Sequence, residues 1–366
     1  MNIPKLPGVN GLRAFSIGLV VVHHIDLQYK IFKPLIKIPW LRPLLDFISD
    51  GQLGVSIFFV ISGFLITSIM LHEEKATGTV SLKQFYIRRT LRIFPAYYFM
   101  LIVYACLQLT GYLHLPKESW LTAITYTKYF NWKADWYTRH AWSLSIEEHF
   151  YIFWPMIFLL EAKIRKSIAF LLILLVPAIR LFIFYHPVSW INELTIFTRV
   201  DAIAVGCICA LYKNEILKRI IPHFALLFLS SLLILFFLRD IEAFSQKIHI
   251  GFIFIPLGLT HGSIANILIA IILMYSVFGK TNTWHKLLNL SLMNYIGVLS
   301  YSIYLWQEIF LFKGKHWTNQ LPQNIFMIFL TALCSYYLIE KPFLTLKSKF
   351  SGNQITSDLN TQKAIV

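Results

Sequence analysis

The stretch WSLSIEEHFYIFWP (residues 142–155) places two adjacent carboxylates and a histidine, Glu147, Glu148 and His149, inside a run that is otherwise aromatic and aliphatic. An ionised group in or near hydrocarbon is costly, so such groups mark functional sites and have partners. The apolar run around them continues for about 20 residues, the length needed to cross a bilayer. The stretch therefore predicts a membrane-spanning helix that carries candidate functional charges.

The composition of the whole chain indicates a lipid environment. Of 366 residues, 57% are hydrophobic and only 14% are charged, whereas a soluble domain carries about 25% charged residues. Apolar runs recur along the full length, and they predict an all-α, polytopic integral membrane helical bundle of about ten transmembrane helices. The predicted spans lie near residues 8–28, 52–71, 93–113, 142–161, 167–185, 195–212, 222–238, 252–279, 289–312 and 323–340.

Two segments do not fit a simple span. Residues 120–130 are too short and polar to cross the hydrocarbon comfortably. Residues 252–279 are overlong and are interrupted by Pro256, Gly258 and Gly262. Irregular backbone is tolerated at membrane depth where it lines a cavity, so both segments remain open between a re-entrant and a spanning arrangement.

The positions of lysine and arginine predict the orientation. Cytoplasmic loops carry an excess of these residues, and most basic loops lie inside when both termini are cytoplasmic. The exception is the first outer loop, which carries Lys30, Lys33, Lys37 and Arg42. We expect a membrane domain over residues 1–346 and a polar, disordered cytoplasmic tail over residues 347–366.

The net charge of +15 is explained by positive-inside flanks and attraction to anionic lipid headgroups. The basic residues are scattered between the spans and form no single face on a soluble domain, so no nucleic-acid partner is expected.

The four cysteines all lie inside predicted apolar spans, which argues against a disulfide framework. They are Cys106, Cys207, Cys209 and Cys334. Cys207 and Cys209 point about 200° apart on a helix. This is poor metal-binding geometry and predicts core packing. No metal site is expected.

The first chemical pattern is GLRAFSIGLVVVHHIDL, in the first predicted span. Arg13 and His24 are separated by about three helical turns, so they share one face, about 16 Å apart along the axis. A helix with two polar groups on one stripe is expected to turn that stripe toward other helices, which makes His24 a candidate functional group. The alternative is that Arg13 extends to the headgroups and that the histidines lie at the interface.

The second pattern is FYIRRTLRIFPAYY, just ahead of the third span. Arg89 and Arg92 are three residues apart and are neighbours on a helix surface. Two guanidinium groups side by side suit a phosphorylated ligand. The alternative is an ordinary positive-inside flank that also includes Arg88.

The predicted topology brings the glutamates of the opening stretch near His24. The span that begins at Trp142 enters from the outer side, where the first span ends, so Glu147 and His24 are expected at one depth. A carboxylate beside an imidazole fixes its tautomer and stabilises its charged form. The alternative is that the glutamates only complement a helix N-terminus capped by Ser143 or Ser145.

Seven motifs in this order resemble those of the membrane-bound acyltransferase-3 family, which includes bacterial O-acetyltransferases of O-antigen and exopolysaccharide. The resemblance runs from the N-terminus to about residue 346. The motifs are GLRAFSIGLVVVHH, GVSIFFVISGFLIT, FYIRRTLRIFPAYY, WSLSIEEHFYIFWP, TRVDAIAVGCICALY, LSYSIYLWQ and IEKPF.

The resemblance implies an enzyme of the bacterial cytoplasmic (inner) membrane that moves acetyl groups from cytoplasmic acetyl-CoA to a hydroxyl of an extracytoplasmic carbohydrate. It implies no permanently bound cofactor, and the chain is expected to be the stand-alone form without an esterase-like domain. The oligomeric state and the acceptor remain open. The implied roles are catalysis by His24 and Glu147 with Glu148 as a secondary candidate, donor binding by Arg13, Arg89 and Arg92, and substrate binding by Trp142 and Ser143.

His24 is expected to act as general base, either for direct attack of the hydroxyl on the thioester or through a transient acetyl-histidine. Arg199 and Asp201 match a further polar pair, for which we expect an intrahelix or an interhelix ion pair. Ser56 and His149 depart from the residues that relatives often carry, Asp and Gln, which leaves nearby substrate contacts open.

Two other classes of function fit some of these features. A transporter or flippase also carries arginine, histidine and glutamate on facing helices, although no inverted repeat is detectable. A membrane scaffold without catalytic activity is the third possibility.

Overall fold

The computed structural model describes residues 6–131, 133, 135–188, 195–247, 251–314 and 316–346, with the backbone alone at 242–247 and 251–261. The predicted tail over residues 347–366 lies outside the described residues.

The described part of the chain is all-helical, as predicted, and contains no strand. The helices are α1 (Val9–Tyr29), α2 (Arg42–Ile48), α3 (Gly51–Thr77), α4 (Leu82–Leu109), α5 (Lys117–Ile124), α6 (Ala141–Ile157), α7 (Ala162–Tyr185), α8 (Ile196–Leu211), α9 (Lys213–Ile220), α10 (Phe224–Lys247), α11 (Gly251–Phe278), α12 (Thr283–Leu288), α13 (Ser291–Leu311) and α14 (Gln323–Ser335), which continues through a π-helical turn at Tyr336–Glu340.

A helix lies at each of the ten predicted span positions. Within the described ranges, five helical runs are long and apolar enough to cross a membrane by length and composition. These are Gly51–Thr77, Leu82–Leu109, Ala162–Tyr185, Lys213–Ile241 and Gln323–Leu346. Ten crossings and cytoplasmic termini therefore stay predictions.

The two irregular segments differ from each other. Residues 120–130 contain the end of the short helix α5 and a 3₁₀ turn at Lys128–Phe130, so this segment is no spanning helix. Residues 252–279 fall almost entirely within the continuous helix α11, and the break considered for this run does not occur in the backbone.

Helix α1 lies at the centre of the bundle, packed between α3 and α13. Helices α1 and α13 run in parallel, because Asn10 meets Gly297 near their starts and His24 meets Glu308 near their ends. We call these the Arg13 end and the His24 end of the bundle. This arrangement turns the Arg13 and His24 stripe toward protein neighbours.

Glycines allow α3 and α8 to cross in close contact. A methyl group added at Gly63 would lie 1.9 Å from the carbonyl oxygen of Ile203, and one at Gly206 would lie 2.1 Å from that of Val60. Small residues let helix backbones approach closely in membranes. Cys207 packs at this crossing, where its thiol donates to the Gly63 carbonyl at 3.6 Å.

The four cysteines are free in the structure. Cys207 and Cys209 are buried, in agreement with core packing, whereas Cys106 and Cys334 are exposed.

We expect Gly63→Val to destabilise the fold, because the new side chain forces α3 and α8 apart. Overpacking of a close contact costs about 1–3 kcal/mol or more. Thermal unfolding of the purified protein in detergent measures the loss. Gly18→Ala is the control, because nothing lies within 4 Å of the added methyl group. An unchanged unfolding temperature in Gly63→Val contradicts the close contact of α3 and α8 at Gly63.

Candidate active site

His24 pairs with an acid on α13. Its Nε2 atom lies 3.3 Å from Oε1 of Glu308, and Glu308 is fully buried. Glu308 lies near the end of α13 and His24 near the end of α1, so the parallel packing of the two helices brings them to the same depth. The carboxylate is close enough to stabilise a protonated imidazole, which is the arrangement expected of an oriented general base.

The predicted contact between His24 and Glu147 is wrong. Helix α6 begins only at Ala141 and runs away from the His24 end, so Glu147 lies almost two turns deeper, roughly 9 Å along the axis. At that depth it meets arginine instead. His24 instead contacts the loop that precedes α6. The Trp136 ring of this loop is 5.9 Å from the imidazole, and its indole N–H donates to the Glu308 carbonyl oxygen at 2.8 Å.

A buried ion pair fixes the loop that carries Trp136. The Lys128 ammonium lies 2.5 Å from Asp135, which also accepts a hydrogen bond from the Thr138 amide at 2.6 Å. Burial alone would raise the pKa of Asp135, but the charge of Lys128 and the hydrogen bonds that the carboxylate accepts together hold that pKa below its ordinary value. The ion pair therefore joins two parts of the loop between α5 and α6 and holds the loop in one conformation.

The two glutamates of α6 bind Arg89 of α4. The guanidinium donates twice to Glu148 Oε1, at 2.9 and 3.2 Å, and lies 3.7 Å from Glu147 Oε2. The same group stacks on the ring of Tyr151, with its carbon 3.6 Å from the ring centre. Arg89 thus contacts both carboxylates and offsets one of their two negative charges, and its predicted role in donor binding competes with these contacts.

A cavity of about 180 Å³ lies between α1, α3, α4, α6 and α13; we call it the arginine cavity. Four arginines from two helices line it, and aromatic and aliphatic side chains form most of the remaining wall. The polar lining residues are Arg13, Ser62, Arg88, Arg89, Arg92, Ser143, Glu147, Tyr151, Ser300, Tyr301 and Tyr304.

The four arginines differ in their partners. Arg88 forms an ion pair with Glu73 at 2.8 Å, and Arg89 is paired as described. Arg13 and Arg92 have no carboxylate within ion-pair distance in the described ranges of the chain. The cavity therefore presents two guanidinium groups that form no direct ion pair, which suits an anionic ligand.

The two predicted substrate-binding residues face different surroundings. Ser143 lines the arginine cavity and lies 2.6 Å, Oγ to Oη, from Tyr304. Trp142 is buried with its ring edge-on to Phe59 at 6.2 Å. Ser143 is therefore placed for ligand contact, whereas Trp142 is placed for packing.

Of the two arrangements expected for Arg199 and Asp201, Asp201 forms an interhelix ion pair, and no ion pair joins the two residues to each other. Asp201 is fully buried and pairs with Arg180 of α7 at 2.7 Å, and it also accepts from Ser263 at 2.6 Å. Arg199 donates to Gln52. The two residues are two positions apart on α8, so their side chains point in nearly opposite directions.

Sequence reasoning missed Glu308 and Tyr304. A signal for Glu308 was present, because it is the single charged residue in the predicted span 289–312 and intramembrane acids mark function. Tyr304 carries no charge to single it out, and the only signal was its position within the motif LSYSIYLWQ. Among the described residues, no cluster of three or more His, Cys, Asp or Glu side chains is arranged to hold a metal ion.

Comparison with known proteins identifies the family. The model of the acyltransferase-3 family, described as an acyltransferase domain, matches residues 6–340. The chain belongs to this family. The resemblance predicted from the motifs is thereby confirmed, and it covers nearly the whole length of the chain.

Curated relatives of this acyltransferase-3 protein are named O-acetyltransferases. The O-acetyltransferase OatA of Staphylococcus aureus (strain NCTC 8325 / PS 47) is 32% identical over 372 residues. A putative O-acetyltransferase of Staphylococcus aureus (strain COL) is 30% identical over 380 residues. Each alignment covers 92% of this chain but 57% of the relative, so the chain spans little more than half the length of these proteins. No solved structure matches the chain.

We expect Arg89→Gln to destabilise the protein strongly, because it leaves two buried carboxylates without a counter-charge. Breaking a buried ion pair in this way costs about 3–5 kcal/mol. Thermal unfolding measures the loss, and the double variant Arg89→Gln with Glu148→Gln should recover part of it. Equal stabilities of the single and double variants contradict the pairing. Arg42→Gln, which removes an exposed ion pair to Asp46, is the control.

Proposed function

We propose that this acyltransferase-3 protein is an O-acetyltransferase that moves an acetyl group from cytoplasmic acetyl-CoA to a hydroxyl of an extracytoplasmic carbohydrate such as O-antigen or exopolysaccharide. The observation that carries the proposal is that one helix, α1, carries two functional features, one at each end. Its Arg13 end lines the arginine cavity, and its His24 end carries the imidazole that faces Glu308.

The donor is assigned to the arginine cavity. Acetyl-CoA carries several phosphate charges at one end and an uncharged thioester at the other. Guanidinium groups bind phosphate through paired hydrogen bonds, and Arg13 and Arg92 are the two of the four cavity arginines that form no ion pair with a described residue. Arg89 acts mainly by holding Glu147 and Glu148, and a direct contact between Arg89 and phosphate stays a prediction. The apolar wall of the cavity suits the pantetheine arm.

The acceptor is assigned to the His24 end. His24 removes the proton of the acceptor hydroxyl, and the buried carboxylate of Glu308 stabilises the imidazolium that forms. The hydroxyl oxygen forms a bond to the thioester carbon, the carbon–sulfur bond breaks, and the proton passes to the sulfur of CoA. Direct transfer and a transient acetyl-histidine both use this geometry, and neither requires a metal ion.

The proposed orientation places the Arg13 end in contact with the cytoplasm and the His24 end toward the outside. The basic residues between the predicted spans support this orientation, since they favour the cytoplasmic face. The bacterial cytoplasmic membrane is the proposed location, because it is the one bilayer with acetyl-CoA on one side and surface carbohydrate on the other.

His24→Ala is expected to lower acetyl transfer by roughly 10²–10⁴-fold, the usual contribution of a general base. Glu308→Gln should also lower transfer, because it removes the charge that stabilises the imidazolium. The measurement is the base-labile acetate on surface glycans of cells that express each variant, with equal membrane protein levels. Neighbouring His23→Ala is the control, since its ring hydrogen-bonds the Ser49 carbonyl oxygen. Glycan export without acetylation by the wild-type protein favours the transporter instead.

Arg13→Gln and Arg92→Gln are expected to weaken donor binding by about tenfold or more each, as the loss of one charged hydrogen bond to phosphate implies. Isothermal titration of purified protein with CoA measures binding, and His24→Ala should bind CoA as tightly as wild type. Unchanged CoA affinity in both arginine variants overturns the assignment of the donor to this cavity.

A further inference from the structure

A hydrogen-bonded bridge between α6 and α13 bounds the arginine cavity on the side of His24. Ser143 Oγ lies 2.6 Å from Tyr304 Oη, and the Tyr304 hydroxyl donates to the His140 carbonyl oxygen at 2.8 Å. All three residues are buried. Ser143 and Tyr304 line the cavity, whereas His140 does not, so the bridge forms part of the cavity wall.

The bridge lies between the cavity and the paired His24 and Glu308. Tyr304 precedes Glu308 by one helical turn on α13, about 6 Å along the axis. His140 belongs to the same loop as Trp136, whose ring contacts His24. Neither His24 nor Glu308 lines the cavity. A thioester in the cavity is therefore separated from the proposed base by the bridge.

We propose that Tyr304 and Ser143 form a gate that decides whether the bound thioester reacts with the acceptor or with water. This inference rests on the proposed function. With the gate closed, the thioester in the cavity has no contact with His24 or with solvent from the His24 end. The gate opens when the bound carbohydrate exchanges its own hydroxyl for the hydrogen bond between Ser143 and Tyr304.

The energetics favour opening by the acceptor. Breaking the Ser143–Tyr304 hydrogen bond without replacement leaves Ser143 Oγ with only its longer contact, 3.3 Å, to the His140 carbonyl oxygen, at a free-energy cost. A carbohydrate hydroxyl replaces the lost bond, and the rest of the sugar supplies binding energy that a single water molecule lacks. Binding energy of the correct substrate then drives the rearrangement, as in induced fit.

His140 provides a partner for the open position of Tyr304. Its imidazole is 2% exposed, and both ring nitrogens lack a hydrogen-bond partner in the described part of the chain. The ring centre lies 5.4 Å from that of Tyr304. Burying an imidazole whose nitrogens form no hydrogen bond costs free energy. After a rotation of its side chain, the Tyr304 hydroxyl hydrogen-bonds to one of these nitrogens in the open position.

The test compares hydrolysis of acetyl-CoA with transfer. In hydrolysis, the oxygen of water bonds to the acetyl carbon, the carbon–sulfur bond breaks, and one proton passes to the sulfur, so free CoA thiol reports each event. Purified full-length protein in lipid nanodiscs receives acetyl-CoA without any acceptor. Tyr304→Phe and Ser143→Ala are expected to release thiol about five- to tenfold faster than wild type, as loss of one hydrogen bond implies.

The matched control is Tyr97→Phe. Tyr97 is also a buried tyrosine whose hydroxyl donates to a backbone carbonyl, that of Ala123 at 2.8 Å, but it lies outside the cavity lining. Its thiol release should equal that of wild type. Thermal unfolding of each variant shows whether it folds. If Tyr304→Phe does not fold, Ser143→Ala alone tests the gate.

The outcomes separate the gate from the proposed function. Faster thiol release by the gate variants, with less acetate on glycans per donor consumed in cells, supports the gate. Thiol release equal to that of wild type in a folded gate variant overturns it, even where transfer to glycan continues. Absence of glycan acetylation by the wild-type protein in cells overturns the proposed function, and the gate with it.

Discussion

The contact of Arg89 with Glu148 and Glu147 allows charged groups to be buried at the centre of this bundle. Three ionisable side chains from α4 and α6 meet there, and Tyr151 covers the guanidinium face. Charges in such surroundings are tolerated only when they compensate one another. Because the two carboxylates contact Arg89, neither forms a direct ion pair with Arg13 or Arg92. These two guanidinium groups line the cavity beside its apolar wall and are placed to bind an anion.

Helix α1 connects the two ends of the site. Its packing between α3 and α13 directs Arg13 into the cavity and His24 toward Glu308. The two features need different surroundings, since phosphate binding requires positive charge and a general base requires a nearby negative one. The segment of α1 between Arg13 and His24, about 16 Å long, keeps the positive charge of the cavity away from the negative charge of Glu308. The hydrogen-bonded Tyr304 lies between these two regions.

Much of the fold was predictable because it depends on composition and local pattern. The apolar runs place a helix at every predicted span position, and the cysteine spacing predicted the buried environment of Cys207 and Cys209. The continuity of α11 was not predictable, because Pro256, Gly258 and Gly262 weaken a helix without dictating whether it breaks. Neighbouring helices decide that outcome by satisfying the backbone.

The sequence by itself determined the family, the helical class and the shared face of Arg13 and His24, because helix geometry relates residues on one element without reference to any other. Only the tertiary structure decided which charges meet. His24 pairs with Glu308 and not with Glu147, and Asp201 pairs with Arg180. Such partners depend on the depth and rotation at which separate helices pack, and these are set by close contacts such as the glycine crossing of α3 and α8, not by spacing along the chain.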